Sequence, residues 1–274
     1  MRHSITSAAA GGCDPAALAE LAAQAERSGW DGFFLEDYLV YQGREDVPTY
    51  DPWIALAAMA CATTRLTLGT TVTPVSRRRP WQVAAQAITL DSLSGGRFVL
   101  GVGSGNAGDV DFATTGEPSE QRELAERLDE GLEIIGGLLA GRRVHHAGRH
   151  FQVTGLRLEA AAGRRRRVPL WIGGNLLAPA VRRRIARWDG SCAYKGPIGS
   201  GLGPVTPEDV ADLRACVARS RGAAARFDIK ITAVDDAELL AEFERAGATW
   251  AGVWVDPTDS ATLRQVITAG PRRV

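Results

Sequence analysis

Four short stretches of the chain end apolar runs in side chains able to do chemistry. Leu35-Glu36-Asp37-Tyr38 closes one run with two carboxylates and a phenol. Thr70-Thr71-Val72-Thr73-Pro74 supplies hydroxyls, with the cations Arg77-Arg78-Arg79 just beyond. Gly101-Val102-Gly103-Ser104-Gly105-Asn106 and Leu170-Trp171-Ile172-Gly173-Gly174-Asn175 both finish in glycines and an amide. Glycines let a backbone approach a flat ligand closely, and an Asn amide donates or accepts. A carboxylate at such a run end is a proton acceptor or an electrostatic anchor.

Each stretch has a plainer reading beside it. Strand alternation turns Glu36 and Asp37 to opposite faces, and Asp37 is the one expected to meet a ligand, with Tyr38 beside it. Its rival reading is a structural rim residue. The Arg77 to Arg79 cluster is either a solvated loop or the anchor of an anionic tail. Gly173, Gly174 and Asn175, ahead of a helix expected over 177–188, form either a tight turn or a phosphate cradle at a helix N-terminus. Gly101 to Asn106 fails as a dinucleotide fingerprint, because no helix follows at the required spacing. His145, His146 and His150 invite a metal, but alternation separates the first two and no Cys or acid cluster joins them. They are read as surface residues, and no metal is expected. Cys13, Cys61, Cys192 and Cys216 lie too far apart for a zinc or disulfide pattern.

The elements that must carry these stretches alternate along the chain. Strands are expected at 2–7, 31–36, 65–73, 97–103, 168–173, 190–194, 227–234 and 250–255. Helices are expected at 14–28, 51–61, 80–93, 119–140, 177–188, 207–221, 236–246 and 259–268. Asp14 before Pro15 and Asp51 before Pro52 are start signals. Eight strands alternating with eight helices predict a single-domain (β/α)8 TIM barrel over 1–274, in the α/β class, against an open Rossmann-like sheet as the rival. In a barrel the four stretches meet at the strand C-termini, where the chemistry sits. Residues 142–153 read as a small β-hairpin insertion before the fifth barrel strand, with Gly148 in its turn. The Gly-rich 195–206 segment is either a lid or a plain connection, and Arg164 to Arg167 a solvated loop.

Composition narrows the partners. Lys plus Arg and Asp plus Glu balance at 32 each, which gives no footprint for nucleic acid. The longest apolar run, 53–62, is too short to span a bilayer, and the start lacks a signal-type apolar stretch. The expectation is a cytoplasmic protein acting on a small molecule, with no membrane or nucleic-acid partner.

Several of these stretches together resemble the bacterial luciferase-like superfamily of flavin- and deazaflavin-dependent oxidoreductases. The resemblance lies in AERSGWDGFFLED (25–37), DPWIALAAMACATTRLTLG (51–69), Arg77 to Trp81 and LDSLSGGRFVLGVGSG (90–105). It continues through 128–139 with the following hairpin, Pro169 to Gly174, and ARWDG (186–190). It implies a barrel that binds reduced FMN or coenzyme F420, with the ring over the strand C-termini. It further implies a non-proline cis peptide at Thr71–Val72 behind the ring, ring or ribityl contacts from Gly103, Ser104, Gly105 and Asn106, and phosphate contacts from Gly173, Gly174 and Asn175. Arg77 is the expected tail anchor. Homodimers through the second and third helices are usual among such proteins. With FMN the implied reaction is oxygenation of a small organic substrate; the alternatives are F420-dependent hydride transfer and a non-catalytic flavin-binding relative. The chain departs from the pattern where many relatives read Asp-His, a proton-transfer candidate. Here the pair is Asp37-Tyr38, and a phenol with an ordinary pKa near 10 is no base at neutral pH.

Overall fold

Caps and prolines start the helices where the sequence signals them. Asp14 accepts from Ala17 N, Asp51 from Trp53 and Ile54 N, and Thr206 with Asp209 forms a reciprocal capping box. The computed structural model describes residues 1–118, 120–159, 168–196, 204–232 and 236–272. In chain order the first half contains β1 (Arg2–Ala8), α1 (Pro15–Arg27), β2 (Gly32–Glu36), α2 (Pro52–Ala62), β3 (Thr67–Thr70), β4 (Thr73–Pro74), α3 (Pro80–Leu93) and β5 (Phe98–Gly103). Then come α4 (Val110–Ala113), α5 (Gln121–Leu139), the hairpin β6 (Val144–Ala147) and β7 (Gln152–Leu156), β8 (Leu170–Ile172) and α6 (Pro179–Ile185). The chain continues through β9 (Gly190–Ser191), α7 (Pro207–Arg221), β10 (Asp228–Thr232), α8 (Ala237–Ala246), β11 (Trp250–Trp254) and α9 (Ser260–Ala269).

The strands pair in parallel in the order β3-β2-β1-β11-β10-β9-β8-β5, and β5 pairs back onto β3. The fold is therefore a closed (β/α)8 TIM barrel. The polar β1 is a full member, paired with both β2 and β11. The strand expected over 65–73 is interrupted. The Thr71–Val72 peptide is cis, as the resemblance implied, and separates β3 from β4. The hairpin is present, and its histidines are held by α5: His146 Nε2 lies 3.1 Å from Glu130 Oε2 and His150 Nε2 lies 3.2 Å from Glu126 Oε2. Among the described residues, no group of three or more His, Cys, Asp or Glu is arranged to hold a metal. No described helix is long and apolar enough to cross a membrane. The Arg164 to Arg167 run and most of the 195–206 segment lie outside the described residues.

Strand alternation decides what fills the barrel. On β2, Phe33 and Leu35 pack outward into the core shared with the helices, while Phe34 turns inward. Phe34 stacks on Trp171 at 5.4 Å and meets Trp250 edge-on at 5.7 Å, so aromatic rings fill the barrel's middle and lower interior. Gly32, Gly69 and Gly190 make room for them, since a Cβ at each would lie within 2.8 Å of one of these rings. Above this layer the interior turns polar. Lys230 Nζ donates to Thr6 Oγ1 at 3.0 Å, in space that exists because residue 252 is glycine: a Cβ there would lie 2.4 Å from Nζ.

Candidate active site

At the strand C-termini the barrel opens into a cavity of about 330 Å³. β2 and the residues just after it contribute Glu36, Asp37 and Tyr38, the β3–β4 junction Thr71 and Val72, β5 and its loop Gly103 to Asn106, and the end of β8 Gly173 and Gly174. The run ends singled out from sequence thus meet at one mouth, but their side chains divide sharply between those that face it and those that do not.

Asp37 does not present its carboxylate to the mouth. Its Oδ1 accepts from Nη2 of Arg77 and of Arg78, both at 2.9 Å. Its Oδ2 accepts from Thr73 Oγ1 at 2.8 Å and Trp53 Nε1 at 3.1 Å. With the side chain at 0% exposure, Asp37 is the centre of a buried ion network. This reverses the choice made from sequence: on the alternating strand Asp37 follows Phe33 and Leu35 outward, and Glu36 follows Phe34 into the mouth. Arg77 is corrected with it. Its guanidinium is 4% exposed and also lies 3.5 Å from Asp111 Oδ2, so it locks the β2 loop to α4 instead of standing free for an anionic tail. Asp111 in turn accepts from the N–H groups of Leu39 and Val40, both at 2.8 Å.

Tyr38 lines the mouth and packs edge-on against Tyr41 at 5.5 Å. Burial, then the charge of Glu36, pushes its phenol above the ordinary value, so it serves as a neutral donor. Glu36 is half-buried and accepts from Trp254 Nε1 at 3.2 Å. Burial pushes its carboxyl up to about 7, against the lowering effects of the Trp254 bond and the Lys230 charge. Burial likewise pushes the Cys192 thiol up to about 12, leaving it neutral, and pushes Lys230 below the ordinary amine range. Sequence reasoning missed Cys192 as a lining residue and Lys230 and Trp254 as the groups beside Glu36; for the last two the signal was their alternation with outward Ile229, Ile231 and Val253.

Among the expected ring contacts, Thr71 Oγ1 is buried without a hydrogen-bond partner. Val72 presents its side chain between two glycines, since a Cβ on Gly103 or Gly173 would come within 2.8 or 2.7 Å of it. Those glycines therefore serve the Val72 ledge first. Gly105 (φ +75°) gives way to the Phe112 ring. Ser104 Oγ accepts from Gln121 Nε2 at 3.1 Å, and Asn106 Nδ2 donates to Asp109 Oδ1 at 2.8 Å, so both brace their own loop. Asn175 is turned into its loop as well, its Oδ1 accepting from Leu177 N at 3.0 Å and Gly196 N at 3.3 Å. The helix after it begins only at Pro179 and runs seven residues, so the turn is not the helix N-terminal cradle expected from the 177–188 assignment. Two other clefts, of about 510 and 650 Å³, are lined by arginines of the 77–79 cluster and by Arg2 with Arg214 at the strand N-termini. Most of those guanidiniums are already engaged, as Arg77 is by Asp37, Arg2 by Asp228 and Arg214 by the Gly247 carbonyl.

The sequence profile of luciferase-like monooxygenases matches residues 2–234. The chain belongs to this family. A relative from Microbacterium testaceum, an F420-dependent glucose-6-phosphate dehydrogenase, is 35% identical over 178 residues, covering 63% of this chain and 50% of its own. The chain thus spans about half the length of the curated relatives it first matches. Among solved structures, an F420-dependent secondary alcohol dehydrogenase with an F420-acetone adduct superposes with a TM-score of 0.74 at 15% identity, covering 99% of both chains. A monooxygenase from Streptomyces bottropensis superposes at 0.71 with 17% identity, covering 97% of this chain and 96% of its own. At such identities these two support the barrel alone. The luciferase-like family is one of oxidoreductases.

Proposed function

We propose that this protein is a coenzyme F420-dependent oxidoreductase that transfers hydride between the deazaflavin and a small organic molecule. The observation that carries the reading is the orphaned Thr71 hydroxyl beside the Val72 ledge, in a chain 35% identical over 178 residues to an F420-dependent dehydrogenase. A buried hydroxyl without a partner costs about 1–3 kcal/mol, so a ligand atom belongs there. The cavity fits a flat heteroaromatic ring: Val72, Pro74 and Phe112 offer apolar walls, and Thr71 a polar contact at one edge. Bound there, the cofactor supplies a two-electron hydride acceptor. The chain supplies the ledge, the enclosing wall and a proton-exchanging group. The Gly173–Gly174 backbone on the same wall is the proposed tail site.

An FMN-dependent monooxygenase is the second reading, favoured by the monooxygenases for which the family is named. Titration of the purified protein with F420 and with FMN, followed by fluorescence, separates the two. The first reading expects saturable binding of F420 at least tenfold tighter than FMN, weakened about 3–10-fold by Thr71→Val. Equal or tighter FMN binding overturns it. We also propose a homodimer through α2, whose eleven residues are apolar all round and leave Ile54 64% exposed.

A further inference from the structure

We propose that Glu36 is the group that exchanges a proton with the substrate, that Trp254 and Lys230 position it, and that the substrate is an uncharged alcohol or its carbonyl. This rests on the hydride-transfer reading above. Oxidation of an alcohol breaks two bonds to hydrogen. The substrate's O–H bond breaks and its proton passes to Glu36, while its C–H bond breaks and the hydride leaves to the oxidised deazaflavin. The C–O bond becomes C=O, the alcohol being oxidised by two electrons and the deazaflavin reduced.

Such a step needs a base at the mouth, and the other ionisable groups there are otherwise engaged. Asp37 is held by Arg77 and Arg78, and Asp111 by Arg77 and two backbone N–H groups. Tyr38, Tyr194 and Cys192 are kept neutral by burial. Asp109 is tied to Asn106 in the loop before α4. Glu36 faces the mouth with no cation in salt-bridge contact and a single hydrogen-bond donor, Trp254, whereas Asp109, likewise without a cation, is spent bracing Asn106 within its own loop. The groups packed around it are Lys230 on β10, Trp254 on β11, Asp256 just beyond, Tyr38 and Tyr41. Burial brings its carboxyl to about 7, where a general base works best at neutral pH. The amine of Lys230, fixed by Thr6 in the space Gly252 leaves, keeps that value from rising further.

The same inventory sets the substrate class. Among the described residues that line the mouth there is no Lys or Arg, and the guanidiniums of Arg77 and Arg78 are locked on Asp37. A phosphorylated or carboxylated substrate would face carboxylates with no free cation to receive it. The mouth accordingly suits a neutral molecule, in contrast to the sugar phosphate in the name of the Microbacterium testaceum relative.

The test begins on cofactor-free protein carrying ¹³C-labelled Glu and Asp. A carboxyl titrating near 7 is expected, absent in Glu36→Gln and moved upward in Lys230→Met. If no carboxyl titrates above 6, or if Glu36→Gln leaves such a carboxyl in place, the proposal falls. F420 affinity is measured on the same variants. Failure of the unaltered protein to bind F420 sinks the functional reading, whereas the titration judges Glu36 separately. With F420 bound and a panel of uncharged alcohols and sugar phosphates, turnover is expected on a neutral alcohol. Glu36→Gln should lower kcat at least a hundredfold with KM within threefold. Lys230→Met should shift the rising limb of the kcat/KM profile to higher pH, which a merely structural role would not do. Turnover confined to sugar phosphates, or loss of kcat in Asp109→Asn but not in Glu36→Gln, overturns the proposal.

Discussion

Asp37 Oδ1 and Arg77 Nη2 meet at 2.9 Å with both side chains sealed from solvent, at 0% and 4% exposure. A buried pair of this kind is more costly to break than to replace whole. Asp37→Asn should therefore destabilise the fold by about 3–5 kcal/mol, because two guanidiniums lose their counter-charge. In chemical denaturation the midpoint should fall while the slope stays the same. A change below about 1 kcal/mol would show that the network is solvated.

Val72 occupies the gap that Gly103 and Gly173 leave open. Gly103→Ala places a methyl within 2.8 Å of Val72 Cγ2 and should push that side chain into the ring seat. Overpacking of one methyl costs about 1–3 kcal/mol. F420 affinity should fall at least tenfold in a fluorescence titration, with a melting point lower by a few degrees. Unaltered affinity would place the ring elsewhere.

Glu26 ties the end of α1 to the start of β3. Burial opposes its ionisation, but N–H groups of Arg65, Leu66 and Thr64, with the Thr64 hydroxyl, hold its carboxyl down to about 2 from an ordinary 4.5. The folded state thus binds fewer protons than the unfolded chain between these values. Its contribution is complete above 4.5 and is lost as pH falls towards 2. After allowance for partial exposure, Glu26→Gln should cost about 1–2 kcal/mol at pH 7 and nothing below pH 2. Melting curves of the two proteins across that range check it; parallel curves would dismiss the role.

Glu36 carries the opposite sign. With its carboxyl raised from 4.5 to about 7 in the folded state, stability is greatest below 4.5 and declines as pH rises through 7. Glu36→Gln should melt with the unaltered protein at pH 4 and several degrees above it at pH 8.5. Coincident melting points at both values would refute the raised carboxyl.

Ile54 stands on the outer face of an apolar helix. Ile54→Glu should convert a dimer to a monomer in sedimentation equilibrium with little change in helical content. An unaltered protein that already sediments as a monomer would remove the dimer from the account.

The order of the barrel was legible from sequence because Asp14, Asp51 and Pro80 mark helix starts and parallel strands leave a helix between them. The mouth was legible as a set of strand ends. Which side chain faces it was not. Strands of a closed barrel are buried on both faces, so GFFLE reads as one apolar run, and nothing in it distinguishes inward Phe34 from outward Phe33 and Leu35. The Asp37 assignment failed on that ambiguity. The role of Arg77 is not legible in the sequence because its counter-charge lies 40 residues earlier in the chain. Lys230 was passed over because only Gly252, on a neighbouring strand, leaves room for it.

The rings of Phe34, Trp171 and Trp250 also govern traffic. They fill the barrel below the mouth, which leaves no path through its centre among the described residues. Under the proposed reading, a cofactor seated against Val72 lies inward of the substrate, and ordered binding with the cofactor first is the expected kinetic pattern.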